Sequence, residues 1–272
     1  MKQNIFRSNT TRAVLVAVPA GVLAVAAFAS SSRTAAERPA PRPEVRGATM
    51  NADEFSLSSL HDRATLDAIE EARVDVFDTC MAERGFEHSP TADPDVGRDA
   101  HTLAFEAAAY GPDAWELGPP TVKLPDGTTT SDGVVWQPGS CAFEQDAQFG
   151  TDPHLREALR YRIMILEIEA DQATVGDPDF GTLFRAWTEC SGNSDVTALL
   201  EALDPVDDGA GEIRPGRLAG SPERTCVTAK MRLSLTEIRG RHHAWAAEDN
   251  QAVVEAWVNM IDRQAEAVKD SL

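Results

Sequence analysis

The sequence predicts a mainly α protein: a single helical domain of two disulfide-clasped helix–loop–helix units, with a short β-hairpin-like insertion. Three observations predict it. Apolar residues recur at three- and four-residue steps along residues 52–272, the period of a helix face. Asp152-Pro153 and Asp177-Pro178 each supply a capping carboxylate and a proline at the first helical position, where its missing N–H costs nothing. Four cysteines stand at predicted helix ends, on either side of two long loops.

In chain order, residues 1–29 read as a signal peptide. Lys2, Arg7 and Arg12 precede an apolar run from Ala13 to Ala29, and Ala27-Phe28-Ala29 fits a small-x-small cleavage pattern. The run is shorter than the roughly 20 residues that a spanning helix needs. An uncleaved N-terminal anchor is the alternative, and only then would a membrane be a partner. Residues 30–51 turn to Ser, Ala, Pro and Arg, which predicts a disordered linker that buries no apolar surface. The formal charge is -19, and losing Lys2, Arg7 and Arg12 takes it to -22 (-19 minus 3). Acidity of that size argues against a nucleic-acid backbone or an anionic membrane surface as partner.

Leu66, Ile69, Ala72, Val76 and Cys80 share one face of a helix that Gly85 stops. His101 to Tyr110 is an Ala-rich helix ending at Gly111-Pro112. The helix from Asp152 carries Leu155, Leu159, Ile163 and Leu166 with many apolar residues between, and is predicted to be the central buried one. Asp177-Pro178 leads to Phe180, Phe184 and Trp187, and Ser221-Pro222 leads to Cys226. Val254, Trp257, Ile261, Ala265 and Val268 form a narrow stripe for packing on another helix.

Residues 111–139 break this pattern. Thr121 to Leu124, Pro125-Asp126-Gly127 and Thr128 to Thr130 predict a hairpin, and Val134-Val135-Trp136 suggests a further strand. The insertion carries Trp115 and Trp136, the candidate binding residues, because irregular segments on rigid scaffolds commonly bind ligands. The structural alternative is that both indoles fold inward and anchor the loop.

Cys80 and Cys190 each follow an aromatic residue by three positions, near the end of a helix, with Gly85 and Gly192 beyond. Cys141 and Cys226 each open the next helical segment. Four cysteines allow three connectivities, and these surroundings favour Cys80–Cys141 and Cys190–Cys226. An even cysteine count behind an export signal points to an oxidising compartment.

Phe77, Cys80, Met81, Gly85 and Phe86 form an aromatic-x-x-Cys-Met segment closed by Gly-aromatic. Asp177, Pro178, Trp187 and Cys190 form an Asp-Pro helix start leading to Trp-x-x-Cys, and Cys226 opens a long terminal helix. This arrangement resembles a loose class of uncharacterised exported, cell-envelope helical proteins of actinobacteria. Ser191 stands where the second unit would have Met. The resemblance implies a fold and a location outside the cytoplasm, and no activity.

Chemistry finds little purchase in the sequence. There is no Cys-x-x-Cys, His-Glu-x-x-His, Gly-x-Ser-x-Gly or phosphate-binding Gly-x-x-x-x-Gly-Lys-Ser/Thr. Export removes routine access to ATP and NAD, so no cofactor is expected. Adjacent helical histidines point about 100° apart, so His242-His243, with Glu248 and Asp249 nearby, predicts a solvated face and no metal. Asp204 to Gly209 fails as a calcium loop, with Val206 at a ligand position and Pro215 where the closing Glu belongs. Asp93-Pro94-Asp95 fares no better. No residue is nominated as catalytic or metal-ligating. The favoured function is a non-catalytic, exported module at or outside the cell envelope that binds a protein, a wall component or a small ligand. The alternative is a secreted hydrolase with an unrecognised carboxylate site.

Overall fold

Asp62 opens the first long helix, α1 (Arg63–Glu83), by accepting the Thr65 N–H at 2.8 Å. Gly85, at a φ of +87°, lets the Phe86 N–H turn back to the Met81 carbonyl and close it. The computed structural model describes residues 38–46, 48–86, 100–114, 116–117, 120–131, 136–203 and 222–271. The elements from Pro39 to Leu272 belong to one unit.

Helix α2 (Ala100–Tyr110) leads into the insertion, and α3 (Cys141–Ala147) follows it, capped by the Ser140 hydroxyl. Asp152 and Asp177 cap α4 (Pro153–Val175) and α5 (Pro178–Ser191), each with proline at the start as the sequence predicts. Helix α6 (Val196–Leu203) and the short α7 (Pro222–Thr225) precede α8 (Ala229–Asp249) and α9 (Gln251–Ser271). This corrects the expected single long terminal helix: the terminal stretch is two helices, and Cys226 lies just past α7 and before both. Asn250 makes the break between α8 and α9: its N–H bonds to Ala247 while its carbonyl accepts the Val253 and Val254 N–H groups.

The strands are minor. Glu44–Val45 (β1) pairs antiparallel with Ala48–Thr49 (β2), and Val122–Lys123 (β3) with Thr129–Thr130 (β4), in the register Val122↔Thr130. In the second hairpin Asp126 Oδ1 accepts both the N–H and the hydroxyl of Thr128, which fixes the turn at Pro125-Asp126-Gly127. Trp136 is not in a strand, and Val134 and Val135 lie outside the described residues.

The main core lies between α1, α4, α8 and α9, around Ile69, Leu159, Leu166, Val254 and Ile261. Helix α9 buries Val254, Ile261 and Val268 of the predicted stripe, with Trp257 and Ala265 partly buried against the same core. Helix α4, the expected central buried helix, packs one face into the core around Leu159, Ile163 and Leu166, while Tyr161, Met164 and Ile168 on its other side stay exposed. Two smaller cores stand apart, one around Trp187, Leu199 and Cys226, the other around Met81, Ala109 and Cys141. Each contains one disulfide. Cys80–Cys141 and Cys190–Cys226 span Cα–Cα distances of 5.6 and 5.8 Å, the favoured connectivity. A covalent clasp thus closes each of the two smaller clusters.

Residues from Pro39 on correct the linker expectation. Pro41, Pro43 and Val45 are buried while Ala40, Arg42 and Glu44 are exposed, an alternation that suits an extended strap. Trp245 Nε1 donates to the Pro39 carbonyl at 3.0 Å, and Arg46 makes a two-pronged pair with Asp262 at 3.0 and 2.6 Å. The strap runs on into a 3-10 turn, Ala52–Glu54, that crosses α8 at Gly240. A Cβ on Gly240 would lie 2.5 Å from the Asp53 carbonyl oxygen and 2.6 Å from that of Ala52. Gly240→Ala is therefore expected to destabilise by about 1–3 kcal/mol through overpacking against backbone, despite alanine's better helix propensity. Urea midpoints check this, and a stabilised variant would contradict it.

Candidate functional site

Buried charge organises the first half of the unit. Arg73 on α1 donates Nε and NH2 to the two oxygens of fully buried Asp146 on α3, at 2.8 and 3.2 Å. Its NH1 bonds to Glu70 at 2.6 Å. Arg156 of α4 adds a second guanidinium, with Nε 3.5 Å from Asp146 and NH2 3.6 Å from Glu70. Burial, and then the Arg73 charge, pull Arg156 below the ordinary guanidinium range. These ion pairs join three helices, which is an architectural role.

The histidine pair departs from the expected solvated face. His243 is only 1% exposed. Its Nδ1 accepts the Leu57 N–H at 3.3 Å, which places the ring proton on Nε2, and Nε2 donates to Asp171 Oδ1 at 3.0 Å. Arg239 clamps the same carboxylate from Nε and NH2 at 2.8 and 3.0 Å. His242 diverges, as the helical geometry requires, and its Nε2 bonds Asp177 at 2.8 Å, where Arg241 also reaches. Helix α8 thus grips α4 through one histidine and the start of α5 through the other. Asp204 to Gly209 and Asp93 to Asp95 lie outside the described residues. Among the described residues, no three His, Cys, Asp or Glu side chains are grouped to hold a metal ion.

These pairs move the carboxyls apart. Burial works against Asp171, but the bonds from His243 and Arg239 outweigh it and hold the carboxyl below the usual range. Burial likewise opposes Asp177, and the Asp179 N–H, His242 and Arg241 overcome it. Glu167, one turn before Asp171, is pushed up by burial, with the Asp171 charge adding to the effect.

His61 forms a third pair. Its Nε2 bonds Asp262 at 3.2 Å beside Arg46, and burial holds its pKa below the usual value. The unfolded chain therefore takes up this proton more readily, so stability rises with pH. The contribution is complete above the unfolded histidine's value of about 6.5 and falls away below it. Asp171, Asp177 and Asp262, all held low, add a further loss below about pH 4. Urea midpoints should fall between pH 7.5 and 5.5 in the wild type and fall less in His61→Gln. Equal falls would contradict this account.

Among the described residues, two of the concavities bear on ligand binding. One, of about 510 Å³, lies beside Cys80 and is lined by Asp75, Glu83, Glu144 and Arg84, whose guanidinium is occupied by the Ala108 and Gly139 carbonyls. The other, of about 340 Å³, lies between α4, α6 and α8. Its walls are Ile168, Val175, Leu200 and Leu235, and its polar end is the Asp171–Arg239 pair. Thr174 on its wall donates its hydroxyl to the Ala170 carbonyl. This second cleft has the character of a ligand site, with an apolar body and a few fixed polar groups.

Trp136, a sequence candidate, is half-buried. Its backbone N–H bonds His154 Nε2 at 3.1 Å, and its ring stacks on the imidazole with centroids 6.3 Å apart. The indole anchors the insertion to the first turn of α4. Trp115 lies outside the described residues. The cleft residues Asp171, Arg239, Ile168 and Leu200 escaped sequence reasoning; the signal was the surplus of apolar residues on α4 beyond one buried face. No helix among the described residues is long and apolar enough to cross a membrane. Comparison with family models, curated proteins and solved structures found no match.

Proposed function

We propose that this is an exported, non-catalytic binding protein of the cell envelope or the medium beyond it, which takes its ligand in the α4–α6–α8 cleft. The single observation that carries the reading is that cleft: apolar walls open to solvent, ending in a carboxylate and a guanidinium that other side chains hold in place. The chemistry of its polar groups supports binding over turnover. Both nitrogens of His243 are engaged, and the Thr174 hydroxyl is spent on its own helix. Two disulfides are compatible with an oxidising compartment. The export reading adds the basic, apolar N-terminal segment with its small-x-small site.

A neutral solvatochromic dye, Nile red, tests the site. The wild type should bind it with a blue-shifted emission, and Ile168→Ser with Val175→Ser should abolish that signal without lowering stability. A signal unchanged by the double variant would remove the cleft from the proposal.

One observation favours the hydrolase reading instead: Glu167 and Asp171 stand one turn apart with their pKa values displaced in opposite directions, as an acid–base pair would. That reading requires turnover of nitrophenyl esters or glycosides that both Glu167→Gln and Asp171→Asn abolish. Turnover surviving in either variant would end it.

A further inference from the structure

We propose that the occupant of this face is a basic amphipathic helix, laid along α4 with one large apolar side chain seated in the cleft. This rests on the reading of the cleft as the binding site. Tyr161, Met164, Ile168 and Val175 are each between 36% and 44% exposed. At about 100° per residue they fall within roughly 60° of one another, a single stripe on the side of α4 away from Leu159, Ile163 and Leu166. The stripe spans about 21 Å, or four helical turns, and α6 and α8 flank its C-terminal end at Ile168 and Val175. Exposed large apolar residues scattered singly need no explanation, whereas four in register along one helix mark a contact surface. A partner helix with apolar residues at i, i+3, i+4 and i+7 matches this spacing.

The cleft closes one end of the stripe, since Ile168 and Val175 belong to both. Its 340 Å³ holds about eleven heavy atoms at the ~30 Å³ that a water molecule occupies in the liquid. That is one indole, or two leucine side chains.

Charge selects the partner's sign. Helix α4 places Arg156, Arg160 and Arg162 in its first half and Glu167, Glu169 and Asp171 in its second. Arg160 is bound by Glu157, and Arg162 pairs with Glu169 and Asn250. The last turn, where the helix dipole favours cations, holds no basic residue. Asp171 is already met by Arg239 and His243, and Glu169 by Arg162, so it is the chain's formal charge of -19 that favours lysines or arginines flanking the partner's apolar stripe. A second copy of this chain would instead bring together two molecules of formal charge -19, which repel.

The test uses the full folded chain and calorimetric titration at 150 mM salt, where long-range attraction is screened. Three synthetic 18-residue peptides serve as probes: a Leu/Lys helix with one Trp and apolar residues at i, i+3, i+4 and i+7, a scrambled peptide of the same composition, and a version with Glu for Lys. The first should bind at least tenfold more tightly than the other two. Ile168→Ser with Val175→Ser should lose that advantage, and Val74→Ser, an exposed apolar residue of α1, should keep it. Equal binding of the scrambled peptide, equal binding of the Glu version, or an unaffected double variant would overturn the proposal. So would wild-type dimerisation, measured by sedimentation, that the double variant abolishes. If Nile red still reports the cleft while the three peptides bind alike, the helix proposal fails and the binding site stands; if the dye fails as well, both fall.

Discussion

Asp146→Ala is expected to lower the unfolding free energy by about 3–5 kcal/mol, the usual cost of leaving buried charge without its partner. Asp146 is fully buried and meets Arg73 in a two-pronged pair, with Arg156 close behind. Removing its carboxylate leaves two guanidiniums between α1, α3 and α4, with the largely exposed Glu70 as counter-charge. Glu70→Ala, by contrast, removes a solvated partner and should cost no more than about 1 kcal/mol. Replacing Arg73 and Asp146 together by Met and Leu should be milder than Asp146→Ala alone, because no unpaired charge remains from that pair. Denaturant unfolding with an unchanged slope checks all three. A loss below about 1 kcal/mol for Asp146→Ala would show that the charges are solvated.

Opening the Cys80–Cys141 bridge by Cys80→Ser with Cys141→Ser should cost about 4 kcal/mol, from the 61-residue separation it closes. The same change at Cys190 and Cys226, separated by 36 residues, closes a shorter loop, and loop entropy alone makes it only about 0.5 kcal/mol milder. Packing should widen that gap. Cys141 is wholly buried among Met81, Ala109 and Phe105 and Cys80 is half-buried, whereas Cys226 keeps 9% exposure and Cys190 is exposed, so serines in the first pair bury more of their hydroxyls. Denaturation of the two double variants should therefore rank the first as the less stable. Near-equal losses would leave loop closure as the whole effect, and a reversed order would contradict the packing account.

Much of the fold was legible because helix signals are local. Asp152-Pro153, Asp177-Pro178 and the glycines after Cys80 and Cys190 each fix a helix end within a few residues, and the structure places ends there. The disulfide pairing followed from the same ends. The site was not legible, because it depends on which of several apolar faces another helix covers. Helix α4 carries enough apolar residues for two faces; Leu159 and Leu166 found a core, and Met164 and Ile168 did not. His242-His243 misled for a related reason. Their divergence rules out a shared metal but equally lets each reach a different helix, and Asp171 and Asp177 are more than sixty residues away in sequence. The strap misled by composition: proline and alanine without long aliphatics read as linker, yet Pro41, Pro43 and Val45 alternate as a docked strand would.

The most direct test of the central claim is a methyl-resolved NMR titration of the folded chain with Nile red, following isoleucine, leucine and valine methyls and the tryptophan indoles. The α4–α6–α8 site predicts that shifts concentrate at Ile168, Val175, Leu200 and Leu235 and spare Trp136. Shifts centred on the Trp115–Trp136 insertion, with those four methyls unmoved, would contradict it.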